Sequence, residues 1–320
     1  MGNLNEYLKK YVSELIAESP RTISVEEQER HKIYSLLLMS MVSYFYNGNK
    51  SKIDESVKID TNKDYGNNLI LGNNEKRGKF LKNQYLGHNI ACFGVDRDGF
   101  IIDFDFNHNE IFNSSVQHAE ARLLNRMFSL NQINDSWNIG KEIESSAGYS
   151  KLLEGVTVYT SLESCSQCSG IMTLGNVKEV VYLQDDPGQD KIGNILFRLT
   201  ESKDLLKKGT APRPIPAKAF NLDYLEKLSK AFDLYKEKTK NQSITSFLCT
   251  QSSFDIFLEA EEEFSKLDKA SLKFPLWKGT YLDSEGKEQK TELDNEAVLN
   301  ECIQFYKYAA LKARRGTPHI

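Results

Sequence analysis

Two short clusters in this chain have the residue types and spacing of a metal site: His118-Ala119-Glu120 and Cys165-Ser166-Gln167-Cys168. One histidine and two cysteines offer three nitrogen or sulfur ligands, which suits zinc, an ion that favours tetrahedral surroundings. Three protein ligands leave a fourth position for water, whose pKa the metal lowers towards neutrality. Glu120, two residues past the histidine, is then placed to carry protons without joining the metal. Either cluster alone is a weak signal. Together, each at an expected helix start, they point to one site, with His118, Cys165 and Cys168 as ligands.

The elements needed to position these residues are readable around them. Each cluster is expected to open a helix, over Gln117–Leu130 and Ser166–Gly175, where free N–H groups and the helix dipole stabilise thiolates, the metal-binding form of cysteine. Asn89–Val95 and Phe100–Phe106 read as strands joined by the Asp96-Arg97-Asp98-Gly99 turn, a hairpin signal. Val156–Tyr159 and Glu179–Leu183 read as further strands and Ile192–Leu199 as a helix. Arg213–Phe220 reads as extended, because proline disfavours helix in the residue before it. Residues 1–47 read as two helices, over Asn5–Ala17 and from a Ser24/Glu27 capping box to about Tyr46. From Leu222 onward the chain reads as mostly helical, over 222–239, 252–267 and 294–314. The middle is thus an α/β unit with helical regions on both sides: 1–84, then 85–220, then 221–320.

The segment Val156–Val181, VTVYTSLESCSQCSGIMTLGNVKEVV, resembles the strand, C-x-x-C helix and following strand of tRNA adenosine and cytosine deaminases. The hairpin Ile90–Asn107, IACFGVDRDGFIIDFDFN, is similar to the strands that precede their metal-binding histidine. H-x-E with a downstream C-x-x-C is the arrangement of the zinc nucleobase deaminases. The resemblance, to the cytidine-deaminase-like superfamily, covers about residues 85–220. It implies a three-layer α/β/α core with a mixed five-stranded sheet, flanked by the N-terminal and C-terminal helical regions. It also implies a zinc-dependent hydrolytic deaminase, with Glu120 as its proton shuttle. Asn107 matches the asparagine that binds the nucleoside in that family, and backbone groups near Ala119 and Ser164 are implied to read the base edge. Two features depart from the pattern: Ser164 stands where the family has proline, and the stretch 129–155 is longer than usual.

In this superfamily a helix between the fourth and fifth strands makes them parallel, since a parallel pair needs a crossover. Ile192–Leu199 supplies one, so the parallel subtype is expected. Enzymes acting on nucleic acid belong to that subtype, as do several nucleotide and base deaminases. The leading reading is therefore a nucleobase within tRNA or another polynucleotide. The alternatives are a free base, nucleoside or nucleotide, or an inactive or effector module that acts by binding protein. Retention of Glu120 speaks against inactivity.

Composition bounds the rest. A net charge of −4 over 320 residues excludes a protein that coats nucleic acid indiscriminately, which needs a large positive surface. Local basic groups at Lys76, Arg77, Lys79 and Lys82, and at Lys203, Lys207, Lys208, Arg213 and Lys218, could still form a groove. No apolar run approaches the ~20 residues of a membrane span, and the N-terminus carries no secretory pattern. Five cysteines, two of them in one C-x-x-C, fit a reduced, cytoplasmic compartment better than a disulfide framework. The flanking helices could serve as surfaces for a homodimer. His108 reads as a loop residue. Cys92, Cys249 and Cys302 read as small buried apolar groups, and Asp185-Asp186-Pro187-Gly188 as a loop at the rim of the site. Trp137, Tyr149 and Phe197 are candidate stacking platforms for a base, with core packing favoured for Phe197.

Overall fold

The computed structural model describes residues 11–16, 22–46, 87–109, 112–137, 153–200, 211–283 and 286–312. The basic residues at 76–82 and 203–208 and most of the long stretch 129–155 lie outside them.

The chain starts with α1 (Val12–Ile16) and α2 (Val25–Tyr44). Ser24 caps α2 by accepting from the Glu27 N–H at 3.2 Å, as its sequence signature predicts. Then come β1 (Ala91–Val95), β2 (Ile101–Phe106), α3 (Ala119–Trp137), β3 (Thr157–Thr160), α4 (Ser166–Leu174), β4 (Glu179–Tyr182), α5 (Ile192–Thr200) and β5 (Arg213–Pro216). The five strands form one mixed sheet in the order β2-β1-β3-β4-β5. β1 is antiparallel to β2 and β3, whereas β3–β4 and β4–β5 are parallel. The α5 crossover thus does what the sequence predicts. β5 ends at Pro216 and the chain turns into a 3-10 helix over Ala217–Phe220, so the extended reading ran four residues too far. A proline constrains itself and the residue before it but not those that follow, and the last proline there is Pro216.

Alternation along the strands sorts side chains between two helical layers. Phe93 and Tyr159 face α2, where their rings meet Tyr34 at 6.1 and 4.9 Å. Phe104 and Phe106 meet Phe45 on that same face. On the opposite face, Asp103 and Asp105 pair with Arg126 of α3, and Arg122 Nε lies 3.2 Å from Asp105. This ion cluster on an edge strand fixes the helix that follows His118. α4 and α5 complete that layer, α4 packing on α3 and α5 on β5.

The C-terminal part contains α6 (Tyr224–Thr239), α7 (Ile244–Phe247), α8 (Gln251–Ser265), strands β6 (Lys278–Leu282) and β7 (Glu288–Asp294), and α9 (Asn295–Lys312). α8 and α9 pack on α2, so their apolar faces share one core with the sheet. The antiparallel β6–β7 hairpin was not anticipated. Its residues are mostly exposed and polar, so little hydrophobic alternation marks it. Buried Arg30 of α2 anchors it, donating to Asn295 Oδ1, Thr291 Oγ1 and the carbonyl oxygens of Trp277 and Leu293. Among the described residues no helix is long and apolar enough to cross a membrane.

Candidate active site

The fold brings the two sequence clusters together at one end of the sheet. His118 directly precedes α3, after the strand β2. Cys165 is the residue that caps α4, after β3, and Cys168 lies in that helix's first turn. The Cys165 sulfur is 3.2 Å from His118 Nδ1 and 3.5 Å from the Cys168 sulfur, which is 3.8 Å from Nδ1. Among the described residues this is the one group of His, Cys, Asp or Glu side chains able to hold a metal ion.

The donor set fits zinc. Bonds of ~2.3 Å to sulfur and ~2.0 Å to nitrogen at tetrahedral angles place the sulfurs ~3.8 Å apart and sulfur and nitrogen ~3.5 Å apart. The two sulfur–nitrogen separations, 3.2 and 3.8 Å, bracket the second value, and the sulfur–sulfur separation of 3.5 Å falls a little short of the first. Electrostatics favour the ligand form of the first cysteine. The Cys168 thiol and then the His118 ring pull the Cys165 thiol down to about 4. His118 is raised, chiefly by the Cys165 sulfur, and Cys168 is pushed well up by Cys165 and burial.

Glu120 lies in the first turn of α3, buried, with Oε2 3.4 Å from the Cys168 sulfur. Burial raises its carboxyl above the usual range. The Thr160 hydroxyl, at the end of β3, donates to Oε1 at 2.8 Å. Sequence reasoning missed Thr160. Its signal was a polar residue at the buried end of an apolar strand, on the face that alternation turns towards α3.

Asn107 follows β2 and is buried, and its Oδ1 accepts from the Ala119 N–H at 2.7 Å. The side chain thereby ties the end of the hairpin to the start of α3 and keeps its Nδ2 as a donor. Ser164, one residue before the first cysteine, is buried, and its Oγ has no hydrogen-bond partner. Gln184, just past β4, is buried with both amide atoms unpartnered, while its carbonyl oxygen accepts from the Glu163 N–H.

The loop after β4 forms an acidic rim. Lys191 Nζ reaches Glu163 Oε2 at 3.2 Å and Asp185 Oδ1 at 2.5 Å. Asp186 donates its backbone N–H to Glu163 Oε2, and its carboxyl is raised, first by burial and also by the nearby Cys165. Asp190 and Lys191 both take left-handed backbone angles, φ 48 and 56. Two consecutive non-glycine residues in that region mark a loop held in place by its side-chain contacts.

The demoted residues are accounted for as follows. His108 is buried, its Nδ1 2.9 Å from the Phe106 carbonyl oxygen and 3.7 Å from Asp105, so it belongs to the ion cluster behind the site. Cys92, Cys249 and Cys302 are buried, and all five cysteines are free thiols. Phe197 is buried beneath Arg213, whose guanidinium lies 4.6 Å from its ring. Trp137 ends α3, and Tyr149 lies outside the described residues.

Residues 76–184 match the family model of the cytidine and deoxycytidylate deaminase zinc-binding region. A solved structure from work on A-to-I editing by tRNA:A34 deaminases is 19% identical, with 46% of this chain and 93% of that chain covered and a TM-score of 0.27. A guanine deaminase from Nitrosomonas europaea is 16% identical, with coverage of 55% and 74% and a TM-score of 0.28.

Proposed function

Since the middle of the chain is a zinc-binding domain of the cytidine-deaminase-like superfamily, we propose that it is a hydrolytic deaminase of a nucleobase. His118, Cys165 and Cys168 would be the zinc ligands and Glu120 the proton carrier. The observation that carries this reading is the buried Glu120 carboxyl beside the three-ligand cluster, 3.4 Å from the Cys168 sulfur and held by Thr160. A site built only to hold metal has no use for a buried carboxylate there. That also weighs against the inactive-module alternative.

A zinc ion held by these ligands supplies a Lewis acid that brings a water's pKa near neutrality. The rest falls to the chain. Glu120 accepts a proton from the attacking water, gives it to the ring nitrogen, and moves the second proton to the departing amine. The sum is water in and ammonia out, with an exocyclic C–NH2 converted to C=O. Thr160 holds Oε1, and Oε2 faces the ligand cluster at the Cys168 sulfur, the side on which this traffic would run. Asn107, whose Oδ1 is taken by Ala119, offers Nδ2 to an acceptor on the substrate, and the Ser164 hydroxyl is available to the base edge.

The parallel β4–β5 crossover supports a base within tRNA or another polynucleotide. A second reading, a free base or nucleoside, is favoured by the acidic rim at Glu163, Asp185 and Asp186, which repels phosphate. Five free thiols agree with a reduced, cytoplasmic setting. The deciding experiment measures ammonia release by the purified chain over bases, nucleosides, nucleotides and total tRNA. Release from tRNA supports the first reading, release from small molecules alone supports the second, and release from none of them overturns the deaminase assignment.

A further inference from the structure

Glu163 stands two residues before the first cysteine of the cluster and is only 6% exposed. It ties the turn that carries Cys165 to the loop 184–191, which runs from β4 to α5. Its backbone N–H donates to the Gln184 carbonyl oxygen at 2.8 Å. Its Oε2 accepts from the Asp186 N–H at 3.1 Å, near the start of the loop, and from Lys191 Nζ at 3.2 Å, at the loop's last residue. The same ammonium group reaches Asp185 Oδ1 and lies 5.5 Å from the ring of buried Tyr182 on β4. Lys191 therefore joins the end of β4, both ends of the loop and the turn before Cys165.

The loop has a conformation that needs holding. Asp190 and Lys191 are both left-handed, which costs free energy at non-glycine residues and persists where side-chain contacts enforce it. Its internal hydrogen bonds give it shape: the Gly188 N–H donates to Asp186 Oδ1, the Gln189 N–H to the Asp186 carbonyl oxygen and the Ile192 N–H to that of Gln189. The Glu163 and Lys191 contacts give it a place.

That place is beside the metal cluster. β3 and β4 are parallel, with Thr160 opposite Tyr182, so both segments leave the sheet at the same end. One reaches Cys165 five residues on, and the other passes Asp186 four residues on. A substrate brought to the cluster is bounded on this side by the loop.

We propose that Glu163 and Lys191 are positioning residues that latch the loop 184–191 as a preformed wall of the substrate mouth. The latch stands on its own contacts; its effect on substrate rests on the function proposed above.

Hydrogen–deuterium exchange of the full chain, read on peptides spanning 184–192, tests the latch. In Lys191→Met and in Glu163→Gln the loop amides should exchange about tenfold faster or more, the worth of one hydrogen bond to a charged group. The double variant should exchange no faster than the quicker single one, because both substitutions remove the same contact. With a substrate that releases ammonia in the assay above, KM should rise about tenfold while kcat and zinc content stay at the wild-type level. Lys191→Arg, which keeps the charge, should restore most of the KM. Unchanged exchange in both single variants overturns the latch. A lower Tm with KM unchanged makes the pair a structural tie alone, and loss of zinc moves its action to the metal ligands; either result overturns the role in positioning substrate. If Lys191→Met does not fold, Glu163→Gln decides, since it keeps the shape of the buried side chain. A wild-type chain that releases no ammonia sinks the function proposed above, and the exchange result still decides the latch.

Discussion

Thr160 donates its hydroxyl proton to Glu120 Oε1 across 2.8 Å, joining the end of β3 to the first turn of α3. Sheet and helix thereby share one buried hydrogen bond at the carboxyl proposed to carry protons. Thr160→Val should lower kcat by about ten- to a hundredfold, the worth of one hydrogen bond to a charged group, with KM little changed. Thr160→Ser should restore most of the rate. A purely structural role would instead lower Tm and leave kcat per folded molecule unchanged.

Glu120→Gln keeps the shape of the side chain and removes its capacity to accept a proton. Ammonia release should fall by ~10²–10⁴-fold, the usual contribution of a general acid–base group. Metal content should stay at the wild-type level, because Glu120 is not a ligand. Activity retained in this variant would remove Glu120 from its role.

Asp105 is buried against α3 and faces Arg126, Arg122 and His108. Arg126→Met leaves two buried carboxylates short of a partner and should cost about 3–5 kcal/mol of stability, read as a lower denaturation midpoint in urea.

The same cluster sets a pH dependence. Burial outweighs the two guanidinium groups and pushes the Asp105 carboxyl up from 3.8 to about 6. The folded chain therefore holds this proton more tightly than the unfolded one. The stability it contributes is full below about pH 4 and is lost as pH rises through about 6. Compared with wild type, Asp105→Asn should flatten the stability curve in that window. A slope that persists unchanged in the variant would place its source elsewhere.

The metal cluster was legible because its ligands are short motifs at helix starts, where residue type and position carry the signal together. The hairpin, the α5 crossover and the capping box at Ser24 were legible for similar local reasons. Thr160 was not, since its function depends on which strand face meets α3, and that is fixed by a register between distant segments. The Asp103–Asp105 and Arg122–Arg126 pairing escaped notice in the same way: two alternations, of period two and of period four, must be superposed before they match. The β6–β7 hairpin went unseen because a mostly exposed, polar ribbon carries little hydrophobic alternation. His31 stands alone in the sequence, and only packing brings it against Tyr159.

The account stands most directly on metal content. Purified chain analysed by plasma mass spectrometry should carry about one zinc ion per molecule, the occupancy of a single three-ligand site. His118→Ala and Cys165→Ala should each reduce it to background. Wild-type protein free of zinc after zinc reconstitution, or both variants retaining it in full, would contradict the assignment.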